Sequence, residues 1–135
     1  MNPNQINWLA VLAAALSAFL VGGVWYSPIL FGKVWLKANG FTAEQAQQFN
    51  KARAFGGAFF LALIMSANLA MFLADPSTTV SWGIAAGALA GIGWAAAGLA
   101  IVALFENRPW SYMLVNGGYL IVAFLLMGVI LGAWR

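Results

Sequence analysis

Apolar residues run through the chain in long stretches interrupted by charge at only a few points. Lys33, Lys37, Glu44, Lys51, Arg53, Asp75, Glu106, Arg108 and Arg135 leave residues 1–32, 54–74, 76–105 and 109–134 without a formal charge. A membrane span needs about 20 predominantly apolar residues. The pattern therefore predicts an all-α membrane protein, a four transmembrane helix bundle with spans over about 6–26, 54–74, 81–105 and 110–134. At about 1.5 Å per residue each span covers a hydrocarbon core of about 30 Å. Little chain is left over, so residues 1–135 read as a single integral membrane domain. The first apolar run is too long for a signal-peptide core and has no Lys or Arg before it, so it is expected to stay as a span.

The 27–53 loop has its own pattern. Ser27-Pro28 reads as an N-cap and first-turn proline opening a short interfacial helix through Leu30, Phe31, Val34 and Trp35. Lys33 and Lys37 snorkel from it towards phosphates. Asn39-Gly40 reads as a stop, and Thr42 with Gln45 as a capping box opening the next helix, with Glu44 in its first turn. Nothing further on breaks the pattern before Asp75-Pro76 except Gly56-Gly57, which predicts one helix over 43–74 with a cytoplasmic extension of the second span. Lys33, Lys37, Lys51 and Arg53 place this loop in the cytoplasm by the positive-inside rule, together with loop 106–109, and both termini outside. A weak internal repeat pairs Trp8 with Trp82, Phe31 with Phe105 and Gly56-Gly57 with Gly117-Gly118; it would imply two hairpins related by a pseudo-twofold axis.

Small residues mark packing faces. The third span carries Gly83, Gly87 and Gly91 at four-residue spacing and the fourth carries Gly128 and Gly132, which lets backbones approach closely. The Ala10, Ala14, Ala18 and Gly22 ridge of the first span is the expected intramolecular partner of the third. That leaves the Gly128/Gly132 face available for a homodimer.

Composition removes whole classes of chemistry. With 64% hydrophobic residues, 7% charged and neither Cys nor His, the chain offers no disulfide, no thiolate or imidazole metal ligand and no Ser-His or Cys-His nucleophile. No cofactor, metal or nucleic-acid partner is expected; the net charge of +3 and basic balance serve topology. No charged group falls inside a span, which disfavours a proton-driven exporter. Glu106 and Arg108 read as an ion pair fixing the last hairpin.

The uncharged polar groups of the spans are the remaining candidates. Asn116 and Tyr119 share a helix face about 10 Å from the cytoplasmic end of the fourth span. Trp25, Tyr26 and Ser27 end the first span at the same side. Two readings are open: an inner-leaflet cavity lined by Trp25, Tyr26, Ser27, Asn116 and Tyr119, or belt aromatics plus an amide that joins helices. Ser17 and Ser66 are the other polar groups of the spans, and Asn68 reads as helix glue.

The blocks Asn7-Trp8, Trp25-Tyr26-Ser27-Pro28 with Leu30-Phe31-Gly32 and Trp35, and Asn116-Gly117-Gly118-Tyr119 with Met127-Gly128, Ile130-Leu131-Gly132 and Trp134 resemble the domain of unknown function 1761 family. The resemblance covers essentially the whole chain. It implies a small bacterial-type integral membrane protein with four helices, placed in the cytoplasmic membrane, and carries no activity or catalytic residue with it. The functional expectation is a non-enzymatic protein that binds a lipid-like or small neutral ligand, or assembles with itself or an unidentified membrane partner. A passive dimeric channel is the first alternative. A lipid- or quinone-modifying enzyme resting on Tyr26, Tyr119, Glu106 and Asp75 is the second.

Overall fold

The structure, a computed structural model, describes residues 1–135 and is helical throughout, with no strand. Four helices are long and apolar enough to cross a membrane: α1 (Trp8–Trp25), α4 (Lys51–Phe72), α5 (Val80–Phe105) and α6 (Trp110–Ala133). Short helices α2 (Gly32–Asn39) and α3 (Ala43–Ala46) lie between the first two. The starts of α1, α4 and α5 follow from side-chain caps. The Asn7 oxygen accepts from the Leu9 and Ala10 amides at 3.1 and 3.2 Å, Asn50 from the Arg53 amide at 3.0 Å and Thr79 from the Trp82 amide at 3.1 Å.

Two features of the long loop differ from expectation. The helix foreseen over 43–74 breaks at Gln47–Asn50. The Thr42–Gln45 capping box forms and Gly40 stops α2 with φ of 69°, but α3 lasts only four residues. Asn50 adopts extended backbone to cap α4, and Phe49 turns its ring edge-on to Phe55, centroids 6.1 Å apart. The interfacial helix also begins later than Ser27-Pro28 predicts. Residues 26–31 form a turn instead, in which the Ser27 hydroxyl donates to the Val24 carbonyl at 2.6 Å, closing α1 rather than opening α2. The Gly32 amide donates back to the Ser27 carbonyl at 2.9 Å. A Cβ at Gly32 would lie 2.6 Å from the Tyr26 carbonyl oxygen, so the fold-back needs glycine here.

α6 is the organising helix, packing against α5, α1, α2 and α4. Its seam with α5 is backbone on backbone. A Cβ at Gly83 would collide with the Gly128 carbonyl oxygen, and one at Gly87 with the Phe124 carbonyl oxygen; one at Gly132 would come within 3.0 Å of the Thr79 carbonyl oxygen. The third span's glycines thus face the fourth span, not the alanine ridge of α1. The Gly128/Gly132 face expected to remain free for a homodimer is buried inside the chain, because two glycine grooves approach more closely than a groove and an alanine ridge can. Gly91 belongs to the same seam, 3.0 Å from the Ile121 Cα by the same construction. It opens a π-helical turn, Gly91–Ala96, which leaves Trp94 83% exposed.

The alanines of α1 pack elsewhere. Ala10, Val11, Ala14, Ala15 and Ala18 are buried with Ala62, Leu69 and Ala70 of α4 and Ala123, Met127 and Leu131 of α6. Ser66 is fully buried and donates to the Val11 carbonyl at 2.8 Å, the one helix-joining bond of the α1–α4 seam. Asn68 makes no such bond: it is exposed, and its Nδ2 donates to the Ile64 carbonyl of its own helix. The contacts lack twofold balance, since α1 lies along α6 whereas α4 barely touches α5. Both termini meet loop 73–79, where the Asn2 amide donates to the Ala74 carbonyl at 3.0 Å and the Arg135 guanidinium to the Asp75 carbonyl at 2.8 Å.

Candidate functional site

At the opposite end of the bundle, α1 runs out against α6. The Trp25 indole N–H donates to the Val115 carbonyl at 2.9 Å, the Tyr26 hydroxyl to the Asn116 Oδ1 at 2.6 Å, and the Tyr119 hydroxyl to the Ala18 carbonyl at 3.0 Å. Glycines make room for the rings. A Cβ at Gly118 would stand 2.9 Å from Cζ2 of Trp25, and one at Gly22 would stand 3.3 Å from the Tyr119 ring. Phe31 and Trp35 complete an aromatic layer, with Trp25–Phe31 centroids 4.6 Å apart, Tyr26–Trp35 at 6.1 Å and Tyr26–Tyr119 at 5.6 Å.

Four of the five expected residues therefore come together: Trp25, Tyr26, Asn116 and Tyr119. Ser27 is spent on the end of its own helix. The cluster joins two helices rather than lining a chamber. Both tyrosine hydroxyls and the indole N–H are committed across the α1–α6 seam, and no buried side-chain nitrogen or oxygen lacks a partner. Each of the two sequence blocks supplies one half of the joint. The glycines beside the aromatic residues, Gly22 and Gly118, were the signal that two rings inter-leave there.

Open space lies on the outer side of this joint. A cavity of about 280 Å³ is lined by Leu20, Val21, Val24, Trp25 and Leu30, all apolar. Its walls are one face of α1 and the turn that folds back after it. Sequence reasoning found only Trp25 of these five, because one aliphatic residue in a span resembles another until the turn brings Leu30 alongside. At the terminal end a void of about 10 Å³ between Gln5, Asn7, Ala70 and Trp134 has room for about one water molecule.

No charged group lines the apolar groove, and Arg135 is the one charged residue at the terminal void. Glu106 and Arg108 form a partly exposed ion pair at 3.2 Å, with the guanidinium 5.1 Å from the Tyr112 ring centroid, across a turn in which Asn107 has φ of 58°. Asp75 accepts from the Ser77 amide at 2.8 Å and from its hydroxyl. These bonds, the hydroxyl's first, hold its carboxyl below the ordinary aspartate range.

No curated protein and no solved structure matches the chain. A family model described as a protein of unknown function, DUF1761, matches residues 9–132, and both halves of the aromatic joint fall within that range. The chain belongs to the DUF1761 family.

Proposed function

We propose that this protein is a non-enzymatic membrane component that holds a lipid-like molecule, one acyl chain of which lies in the groove formed by Leu20, Val21, Val24, Trp25 and Leu30. The observation that carries the reading is the cavity of about 280 Å³ with a wholly apolar lining. Ligand pockets commonly run to about 300–1,000 Å³, so this one suits a length of hydrocarbon better than a bulky polar molecule. Trp25 gives the groove a rigid wall, since its indole is fixed by the Val115 carbonyl and the Gly118 gap. Under the positive-inside rule the groove opens to the inner leaflet, because Lys33, Lys37, Lys51, Arg53 and Arg108 lie at its end of the bundle and Arg135 alone at the other.

The enzyme reading gains no comparable support. Tyr26, Tyr119, Glu106 and Asp75, the residues on which it rests, are each engaged by a neighbour, and no two of them are hydrogen-bonded together. Native mass spectrometry after gentle detergent extraction tests the proposal. The wild-type chain retains a lipid-mass adduct, Val24→Trp fills the groove and loses it, and Leu104→Trp on the exposed face of α5 keeps it. A bare wild-type chain, or an adduct held equally by Val24→Trp, would refute the groove.

A further inference from the structure

α4 presents two faces of different character. Ala62, Ser66, Leu69 and Ala70 are buried against the rest of the chain. On the opposite side Ala54, Gly57, Leu61, Ile64, Asn68 and Met71 recur at alternating steps of three and four residues, which is the heptad seam of a helix that packs on another helix. Ala54, Leu61, Ile64 and Asn68 of this seam are exposed, and Gly57 and Met71 are partly so. Leu61 and Ile64 are 58% and 43% exposed, and a Cβ at Gly57 would meet no heavy atom within 4 Å.

Two residues of the seam are unexplained by the monomer. Asn68 lies about 10 Å along the helix from Asp75, inside the span. Its Nδ2 reaches the Ile64 carbonyl at 2.9 Å, while its Oδ1 receives no donor from the chain. An amide facing hydrocarbon with an unmet acceptor is unfavourable, and interhelical pairing is the usual remedy. Gly57 weakens an apolar helix with no packing gain inside the chain, yet on a helix–helix seam it allows close backbone approach.

We infer that α4 is a homodimer interface in which the seams of two copies pack in parallel around a twofold axis normal to the membrane. A second copy is the occupant that the residues specify. Two copies of one chain insert with the same orientation and to the same depth, so Asn68 meets Asn68. An amide carries both donor and acceptor, so the pair is reciprocal: each spare Nδ2 hydrogen goes to the other copy's Oδ1. A single Asn on an apolar heptad seam sets register and helix number in this way. The interface lies on a different face from the glycine seam of α5 and α6, and it stands whether or not the α1 groove holds a lipid.

The chain has no cysteine, so single-cysteine variants report proximity directly. On mild oxidation in native membranes, Leu61→Cys and Ile64→Cys give a product of twice the chain mass. Ala58→Cys, exposed on the flank of the same helix, and Trp94→Cys on α5 do not. In the Ile64→Cys background, Asn68→Leu lowers the crosslinked fraction about three- to tenfold, since interhelical hydrogen bonds in membranes are individually modest. Asn68 is exposed and makes no hydrogen bond to another helix of its own chain, so Asn68→Leu leaves the unfolding midpoint of the dilute monomer essentially unchanged. The inference is overturned by absence of crosslinking at both seam positions, by equal crosslinking at Trp94→Cys, by a product of any other mass, or by indifference to Asn68→Leu.

Discussion

Replacing Gly83 with alanine isolates what the α5–α6 seam contributes, because Gly98, α-helical and on the same span beyond the π-helical turn, supplies a control. At Gly83 the new Cβ collides with the Gly128 carbonyl oxygen, and neither partner is a flexible side chain that could swing away. At Gly98 the same methyl group meets nothing within 4 Å. Both substitutions gain the same helix propensity, about 1 kcal/mol for Gly→Ala in a helix interior. The difference between the two variants is then overpacking alone, about 1–3 kcal/mol. A separation of the helices by about 0.5–1 Å, enough to relieve the clash, already forfeits a quarter to a half of the dispersion attraction along the seam. Gly83→Ala should therefore unfold with an equilibrium constant roughly 5- to 140-fold larger than Gly98→Ala, at tenfold per 1.4 kcal/mol. Titration with sodium dodecyl sulfate in mixed micelles, followed by the fluorescence of the seven tryptophans, reads this directly. Equal midpoints for the two variants would refute the backbone-on-backbone seam.

The aromatic joint and the terminal loop give further expectations. Tyr26→Phe removes the hydroxyl donated to Asn116 and should cost about 0.6 kcal/mol, the average for interhelical hydrogen bonds in membranes, and no more than about 1.7; a double-mutant cycle with Asn116→Ala should return that coupling, and a value of zero would contradict the bond. The Asp75 carboxyl is depressed in the folded chain chiefly by the Ser77 hydroxyl and then by its amide, so the 75–77 turn is favoured above the ordinary aspartate range and lost as pH falls through the lowered folded value. The Ser77 amide resonance should follow that titration. In Ser77→Ala the Asp75 midpoint should move upward, and no movement would show that the hydroxyl is not the main cause.

The spans were legible because lipid leaves few options: a charge-free stretch of the right length must satisfy its backbone internally, and a helix does so. The capping box at Thr42 and the stop at Gly40 were legible for a similar reason, since both are bonds made within a few residues. The break at Gln47–Asn50 was not. Asn50 chose between helix interior and cap, and the preference of Asn for the cap outweighed a pattern containing no Gly or Pro. Ser27 shows the same ambiguity from the other side, as its hydroxyl could cap the following helix or close the preceding one. The existence of the glycine seam was readable, but its partner was not, because small residues at four-residue spacing state how close a neighbour comes and leave its identity open. For the joint, residue type and depth brought Trp25, Tyr26, Asn116 and Tyr119 to one end. Only the folded chain shows that the Asn116 Oδ1 accepts from Tyr26 and so ties α6 to the end of α1.

The bonds that fix the end of α1 span 90, 90 and 101 positions of the chain. A ribosome adds about 5–20 residues per second, so α1 waits roughly 5–20 s after its own synthesis before Val115, Asn116 and Tyr119 exist. Through that interval Trp25 and Tyr26 sit in the bilayer without their final acceptors. A nascent chain halted before α6 leaves those groups unmatched at one depth, which distinguishes unfinished copies from finished ones.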